Sequence, residues 1–445
     1  MATSYARRVF TLDVRSLAVM RIAVAITVIV DLATRASHLT EHYTDAGVLP
    51  REVARSTSAL ADVSLLAISG SPVWAALIFA CGFVLAAAVL VGWRTRWITP
   101  LLWVVVLSIQ HRNPILHDHR DVLFSLALCF GSLMPWGAAL SVDALHAPRA
   151  DPRYRGTPAI AYVVAIASIY LFAAILKSGP EWRSDLTAVE HAIGVRYWAS
   201  SAAEHLLEHP TLMAVLTAGV LTFEAMVALL LVTPWRTGQA RWIAVAGICA
   251  LQVGFALFLW LDTFPMIAAA ITLGLLPAWR RVEVTGDPPA PCRWRTRIGA
   301  GLAGYLVALN VLSVVAPGAV SIAGAPAEAL GIQQSWTMFA PSPSRVDGWF
   351  VIEARTAAGT IDLLTGRTAS FDEPASYREG IRTTRELVYL RRLLAHDEAR
   401  ASYAAWRCTQ DISSIAIHFI PVIAGERQVP EMLVEHACSQ RITAR

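Results

Sequence analysis

The stretch IYLFAAILKSGPEW, from Ile169 to Trp182, decides the architecture because an apolar run meets a sudden polar break in it. The run ends on Lys177 and is followed at once by Gly179, Pro180 and a tryptophan. Lys177 is the only lysine among the 37 lysine and arginine residues of the chain. Arginine stays protonated in almost any surroundings, whereas a desolvated lysine can lose its proton and act as a base. Lys177 is therefore the first candidate functional residue.

Composition places the whole chain among multi-pass membrane proteins. Of its 445 residues, 56% are hydrophobic and 16% are charged, and the mean hydropathy is +0.51. Soluble domains contain about a quarter charged residues. Apolar runs of about 20 residues recur, and each is long enough to cross a hydrocarbon core of about 30 Å. The net charge of +4 is small, so we expect a lipid bilayer as partner and no nucleic acid.

Apolar segments predict an all-α membrane bundle of about nine transmembrane helices. The segments, in chain order, are Leu17–Ala36, Pro72–Gly92, Trp97–Gln110, Val122–Leu140, Pro158–Lys177, Leu212–Thr233, Trp242–Leu261, Phe264–Trp279 and Ile298–Val315. The seventh and eighth segments are joined by a tight turn at Asp262-Thr263. We therefore predict that residues 1–316 form a transmembrane domain.

The pattern of the sequence changes at about Pro317, where the long apolar runs end. Trp349–Ala354 and Thr360–Leu364 flank an Ala-Gly pair and predict a β-hairpin. Arg385–Ala404 is expected to form a helix and Ile412–Val422 another strand. Residues 317–445 are thus predicted to form a small external α+β domain, or a cap on the bundle.

Charge alternates between successive connections and predicts the orientation of the bundle. Arginine clusters occupy the N-terminus and every second connection: Arg7, Arg8, Arg15; Arg94, Arg96; Arg149, Arg153, Arg155; Arg236, Arg241; Arg280, Arg281, Arg293, Arg295, Arg297. The positive-inside rule then puts the N-terminus in the cytoplasm, and nine spans put the tail outside a plasma (inner) membrane. If the tail faces an oxidising space, Cys408 and Cys438 could form a disulfide.

Four ionisable residues lie inside or at the ends of spans, where a charge is costly and usually faces a partner or a cavity: Arg21, Asp31, Lys177 and Glu224. Arg21 and Asp31 belong to one helix and either snorkel to the interfaces or face a partner. Glu224 is near a span centre and is expected to pair with an arginine of a neighbouring helix or to line a polar cavity. Lys177 is either an interfacial anchor or the base of a desolvated site.

A polar turn, QHRNPILHDHRDVLF from Gln110 to Phe124, precedes the fourth span and packs three histidines among charged residues. His-x-His spacing can ligate a metal, but no Cys or Glu pattern completes a site here, so we predict no metal. In the simplest interpretation the turn is solvated and Asp118 or Asp121 caps the next helix. In the functional interpretation it is a polar lid beside Lys177.

Several pieces of the chain together resemble the membrane domain shared by vitamin K-dependent γ-carboxylases and their bacterial relatives, the horizontally transferred transmembrane domain family. The similar pieces follow the family's order: RIAVAITVIVDL (Arg21–Leu32), HYTDAG (His42–Gly47), the polar turn, LSVDAL (Leu140–Leu145), LKSGPEW (Leu176–Trp182), TFEAMVALLL (Thr222–Leu231) and QSWTMFAP (Gln334–Pro341). The spacing from Lys177 to Trp182 resembles that from the family's catalytic lysine to its following tryptophan.

The resemblance implies a function. In the carboxylases a lysine deprotonates vitamin K hydroquinone, oxygen adds, and the strongly basic vitamin K alkoxide removes a γ-hydrogen from a glutamate. The carbanion captures carbon dioxide, and vitamin K epoxide is released. By this resemblance Lys177 is the base, and reduced vitamin K or menaquinone is the cofactor. The acceptor is a glutamate-containing secreted peptide or protein. His119 and Arg120 are the further catalytic candidates, and the quinone-pocket candidates are Arg21, Asp31, Trp182 and Glu224.

The chain departs from the family in two places. The histidine that the carboxylases carry near the start of span four falls at about Arg120, one residue from His119. Only a short tail follows the spans, so an acceptor would be recognised differently. A non-catalytic membrane module that binds lipid or assists a secreted peptide is the second hypothesis. A transporter ranks last, because no helix breaks occur in matched repeats.

Overall fold

The computed structural model describes residues 2–146, 151–277 and 293–438, with the side chains of residues 2 and 3 left out. The chain first forms a helical bundle. Its helices are α1 (Ala2–Val9), α2 (Val14–Ala36), α3 (Leu39–Tyr43), α4 (Arg51–Thr57), α5 (Pro72–Val91), α6 (Thr95–Arg112), α7 (His119–Leu133), α8 (Val142–Leu145), α9 (Thr157–Leu176), α10 (Pro180–Arg183), α11 (Ala188–Gly194), α12 (Ser201–Leu207), α13 (Pro210–Val232), α14 (Thr237–Phe258), α15 (Phe264–Ala270), α16 (Arg293–Val315), α17 (Pro317–Ala323) and α18 (Ala325–Ala329).

Within the described residues, six helices are long and apolar enough to cross a membrane: α2, α5, α9, α13, α14 and α16. Large apolar side chains on their outer faces are exposed, among them Leu77 and Val84 of α5 and Val253 of α14. An apolar outer surface is what a helix in contact with lipid chains requires. The chain is therefore a multi-pass membrane protein.

Three of the nine predicted segments form shorter or more polar helices. The third lies in α6, whose last residues, His111 and Arg112, are buried polar groups. The fourth ends early, because α7 stops at Leu133 where Pro135 disfavours a further helical turn. The eighth forms only α15 and a 3₁₀ turn, Leu273–Leu275, and its predicted end at Trp279 lies outside the described residues. Of the predicted arginine clusters, Arg149, Arg280 and Arg281 also lie outside them.

Helix α9 lies in the middle of the bundle and brings the Lys177 loop to one end of it. It packs against α13 on one side and α16 on the other, while α2 packs against α5. Two short strands, β1 (Leu12–Asp13) and β2 (Arg153–Tyr154), pair antiparallel at the opposite end of α9 and fix the start of that helix beside the start of α2.

The tail forms an antiparallel sheet with two helices. Its strands are β3 (Val346–Thr356), β4 (Gly359–Asp362), β5 (Ile412–Ile423), β6 (Glu426–Arg427) and β7 (Glu431–Ala437), in the order β4-β3-β5-β6, with β7 also pairing with β5. The predicted hairpin and the predicted strand near residue 412 are confirmed. The single predicted helix is in fact two, α19 (Thr384–Leu393) and α20 (Asp397–Arg407), because the chain turns at Ala395 and His396.

The tail is joined to the bundle by a shared interior. Tyr389 and Tyr403 of α19 and α20 belong to the same buried cluster as Val28 of α2 and Phe79 of α5. The Tyr389 hydroxyl donates to the carbonyl of Val48 at 3.3 Å. The tail is thus packed onto the bundle as a cap.

Cys408 and Cys438 form a disulfide in the structure, with Cα atoms 5.6 Å apart and a separation of 30 positions along the chain. It ties the end of α20 to the residue after β7. Closing a loop of this length contributes about 3–4 kcal/mol to the stability of the folded protein, through the entropy of the unfolded chain.

We expect the double variant Cys408→Ser/Cys438→Ser to melt several degrees lower than the native protein. Cys81→Ser on the exposed face of α5 should leave the melting temperature unchanged; equal melting of all three proteins would contradict the expectation.

Candidate functional site

Lys177 ends α9 in a geometry that its neighbours in sequence create. Pro180 cannot continue the helix, and Gly179 precedes it in an extended conformation. Arg183 folds back: its Nε donates to the Lys177 carbonyl at 3.0 Å and its Nη2 to the Ala174 carbonyl at 3.1 Å. A cation on the last carbonyls of a helix is favourable because those carbonyls have no partner within the helix. The loop therefore holds Lys177 in a defined position.

The Lys177 side chain points into the protein, where it pairs with Glu224 in the middle of α13. Its Nζ donates to Glu224 Oε1 at 2.8 Å and to Oε2 at 2.6 Å. The lysine is 4% exposed and the glutamate 6%. A lysine that anchors a helix in the headgroups would extend outward, so this arrangement disfavours the anchor interpretation. Glu224 does have a partner on a neighbouring helix, but that partner is lysine and not the arginine we expected.

Trp182 completes the immediate surroundings of the lysine. The Nζ of Lys177 lies 5.2 Å from the centre of the Trp182 ring, within the range of a cation–π contact. The ring Nε1 of Trp182 donates to the Phe339 carbonyl at 2.9 Å. Phe339 has a positive φ of 61°, a conformation that costs energy in a residue with a side chain. The segment Gln333–Pro343 is thereby fixed against the site.

The Lys177–Glu224 pair lies in the wall shared by two cavities. The first, about 60 Å³, is the inner cavity, and it is lined on its polar side by Tyr170, Gln252 and Thr272. The second, about 220 Å³, is the apolar cavity, and its wall includes Ile193, Leu216, Val220, Gly254 and Phe258. Leu251, Phe255 and Met338 line both cavities. The charged pair thus adjoins two cavities whose walls are largely apolar.

Sequence reasoning missed the polar residues of the inner cavity. Gln252 lies within the apolar run of α14, is 5% exposed, and its Oε1 has no hydrogen-bond partner. An amide inside a membrane helix is costly unless it is paired, so its occurrence in that run was the available signal. The unpaired oxygen is an acceptor for a donor group in the cavity.

His119 and Arg120 line a third cavity of about 250 Å³, the junction cavity, between the bundle and the tail. Met338 lines all three cavities, and Phe339 lines both the junction cavity and the apolar one. The His119 ring Nε2 is 2.8 Å from the Ser335 carbonyl. Arg120 is held by Asp118 at 2.6 Å and Asp262 at 2.8 Å. Both residues are therefore next to the Lys177 site but neither touches the lysine.

The polar turn caps the next helix as predicted, but it is largely buried rather than solvated. Asp118 caps α7 by accepting from the Arg120 amide at 2.9 Å, and Asp121 completes a capping box. At the same time Asp118, His119 and Arg120 line the junction cavity. The capping prediction is confirmed, and the turn also borders the cavity system.

Arg21 and Asp31 are not brought to the Lys177 site. Arg21 is fully buried and donates from Nη1 to the Trp136 carbonyl at 3.2 Å and from Nη2 to the Leu140 carbonyl. Asp31 pairs with Arg35 at 2.7 Å and with Arg385 of the tail. Neither residue is among those lining the three cavities within the described chain. The sequence-based placement of both in the quinone pocket is therefore corrected: each has a buried structural partner elsewhere.

A further set of ionisable residues escaped the sequence analysis. His38, Glu41 and His42 at α3 have ligand atoms that all lie within 4.8 Å of one another. The signal was the sequence HLTEH, which puts two histidines four residues apart on one side of a helical turn. Burial lowers the pKa of His42 to about 4, so its ring is neutral at physiological pH.

Comparisons of the chain with protein-family models, with curated proteins and with solved structures found no match in any of the three. The class that the fold and the site define is a multi-pass membrane protein with a buried lysine–glutamate pair beside an apolar cavity.

Proposed function

We propose that the protein is a membrane-bound, quinol-dependent enzyme similar to the vitamin K-dependent γ-carboxylases, with Lys177 as its base. One observation carries the proposal: the only lysine of the chain is desolvated, hydrogen-bonded to Glu224, and placed between two largely apolar cavities. A lysine serving only as an anchor needs neither the carboxylate nor the cavities. Buried ionisable pairs in a cleft are typical of catalytic sites.

The pair provides a route for a proton. Lys177 can accept a proton only after its own has left, and the Glu224 carboxylate, 2.6 Å away, is in position to take it. In surroundings of low polarity a neutral amine and a neutral carboxylic acid compete well with the ion pair, because neither carries a charge to be solvated. Lys177 then presents a lone pair to a hydroxyl group in the adjoining cavity, and the Trp182 ring favours the charged form after transfer.

The residues present fit a reduced quinone. A cavity of about 150 Å³ is large enough for benzene, so the apolar cavity of about 220 Å³ has room for a larger ring. Ile193, Leu216 and Phe258 would hold the ring by apolar contact, and Gln252 Oε1 in the inner cavity could accept from a hydroxyl. When bound, the quinol supplies the reducing equivalents for oxygen. The largely apolar walls disfavour water, which would otherwise quench a strong base.

By the resemblance, the reaction converts quinol, oxygen, carbon dioxide and a glutamate side chain into quinone epoxide, a γ-carboxylated glutamate and water. The acceptor would be a secreted peptide or protein. The junction cavity, bordered by Arg391 and Arg392 of α19 as well as by His119, opens between bundle and tail and is where such a chain could approach. Positive charge there suits a carboxylate-bearing acceptor.

The proposal includes an orientation. With the N-terminus in the cytoplasm and nine crossings, counting α6, α7 and the α15 segment with the six long helices, the tail lies outside a bacterial-type plasma membrane. The disulfide between Cys408 and Cys438 supports a tail outside the membrane, since disulfides persist in oxidising compartments.

The test is oxygen uptake and quinone epoxide formation by the purified protein, supplied with reduced menaquinone or vitamin K hydroquinone. Turnover with either quinol supports the proposal that the protein is a quinol-dependent enzyme. A folded protein that binds both quinols without consuming oxygen would instead favour a non-catalytic module that binds lipids in the same cavity.

Filling the apolar cavity should weaken quinol binding without touching Lys177. Gly254 lines that cavity, and no atom beyond its own stretch of helix lies within 4 Å of where its Cβ would be, so the side chain in Gly254→Leu starts into open space at the cavity wall. We expect KM for the quinol to rise at least about tenfold, on the scale of ~1.4 kcal/mol for each tenfold loss of affinity.

The matched control is Gly219→Leu on α13. Gly219 is equally open around its Cβ position but is exposed on the outer face and does not line the apolar cavity. Its KM should equal that of the native protein. An unchanged KM in Gly254→Leu would remove the apolar cavity from the proposal.

A further inference from the structure

His38, Glu41 and His42 lie together where α3 meets the tail. The His38 ring Nδ1 is 2.9 Å from Glu41 Oε2, and His42 Nε2 is 3.9 Å from Glu41 Oε1. The three side chains differ in exposure: His42 is 3% exposed, whereas those of His38 and Glu41 are 13% and 19% exposed. The group therefore has a buried side and a side that solvent can reach.

His42 has an unusual environment for a buried histidine. Neither ring nitrogen has a hydrogen-bond partner, although both are shielded from solvent. Leaving a buried polar atom unpaired is unfavourable, and such atoms in native proteins call for an explanation. Among the described residues, the carboxylate oxygen nearest to His42 Nε2 is Glu41 Oε1. It is 3.9 Å away, too far for a hydrogen bond. That gap is of the size that an atom bound to both groups would bridge.

We propose that His38, Glu41 and His42 bind a divalent first-row transition metal, with Zn²⁺ as the best candidate. Two imidazoles and one carboxylate are a donor set that such metals prefer over Ca²⁺ or Mg²⁺, which take mostly oxygen ligands. Ligand atoms within 4.8 Å of one another can converge on a metal by small side-chain rotations, since tetrahedral metal–ligand bonds are about 2.0–2.2 Å. The partly exposed side leaves room for a water as a further ligand.

The surrounding charges permit a cation at this position. The nearby guanidinium groups of Arg35 and Arg385 are paired with the carboxylates of Asp31 and Asp121. Glu41 is the acidic member of the set, so the site itself contributes one negative charge. The charges of Arg35 and Arg385 are therefore compensated by carboxylates.

The metal would have a structural role at the junction between bundle and tail. The ring of Tyr389 on α19 packs against the ring of His42, with centres 5.5 Å apart. Fixing His42 thereby fixes the surface on which α19 rests. Metal binding to the folded protein alone raises its stability, so the effect is measurable without any enzymatic assay.

The experiment uses the full chain, purified in detergent through a tag without histidine. After loading with Zn²⁺ and dialysis, bound zinc is measured by elemental analysis. We expect about one zinc per chain in the native protein and less than about a tenth of that in Glu41→Gln and His42→Ala. His205→Ala, which removes an exposed histidine of α12, should keep the native zinc content. Zn²⁺ should also raise the melting temperature of the native protein by a few degrees, and Mg²⁺ should not.

If His42→Ala does not fold, Glu41→Gln still tests the metal site, because it removes only a charge. Equal zinc content in the native protein and in folded Glu41→Gln and His38→Ala variants would overturn the site, as would a native protein that retains no zinc. Because the readouts are metal content and melting, a failure here is distinct from a failure of the quinol proposal.

Discussion

Replacement of Lys177 by arginine is expected to abolish quinol-dependent oxygen uptake, with a loss of at least about 10²–10⁴-fold in kcat, the usual contribution of a positioned base. Arginine keeps the positive charge opposite Glu224 and so preserves the ion pair, but it cannot release its proton at the pH of the reaction. Lys177→Arg therefore separates loss of the base from loss of the charge. Oxygen consumption and epoxide are measured together, at saturating quinol.

Lys177→Ala should lose activity to the same extent but should also lose stability. It leaves Glu224 buried without a partner, which costs about 3–5 kcal/mol. The double variant Lys177→Met/Glu224→Gln removes both charges and should regain most of that stability while remaining inactive. Native-like turnover in a folded Lys177→Arg protein would show that Lys177 is not the base.

Replacement of Arg385 by methionine is expected to loosen the tail from the bundle. Arg385 of α19 contacts Asp31 of α2 and lies 3.6 Å from Asp121 of α7, while Arg35 pairs with the same two carboxylates. Two buried acids are thus balanced by two buried arginines. Removing one arginine leaves a net negative charge in the interior and should cost about 3–5 kcal/mol. The melting temperature falls, and limited proteolysis between β4 and α19 becomes faster.

The matched control is Arg367→Met. Arg367 also pairs with an acid of the tail, Glu379 at 2.8 Å, but its side chain is 75% exposed. Exposed ion pairs contribute about 0–1 kcal/mol to stability, so Arg367→Met should have the same melting temperature as the native protein. If Arg385→Met and Arg367→Met were equally stable, the buried cluster would not be what holds the tail.

Local features of the site were predictable from the sequence because neighbours along the chain create them. The Gly-Pro break after Lys177 determines where α9 ends, and Trp182 follows closely enough to reach the lysine. The β3–β4 hairpin was predictable for the same reason, since its tight turn at Ala357 and Ala358 is followed at once by Gly359, the first residue of β4.

Pairings between distant elements were not predictable. Hydropathy shows that Glu224 lies in a span, but it does not show which helix faces Glu224. The predicted partner, an arginine, was therefore wrong. Asp31 is bound by a residue 354 positions later, and Arg21 by backbone carbonyls, which have no sequence signature. The short fourth and eighth segments, α7 and α15, are largely buried, and burial within the bundle lets a membrane protein keep helices too short to face lipid along their length.

The contact between Arg385 and Asp31 also has a temporal consequence for biosynthesis. Chains emerge from the ribosome at about 5–20 residues per second, so the interval between synthesis of Asp31 and of Arg385 is about 20–70 s. During that time, of the two arginines that contact Asp31 and Asp121, only Arg35 has been made. The bundle therefore exists first as an unfinished intermediate, and a chain that ends before α19 lacks one of the two arginines that pair with these buried acids.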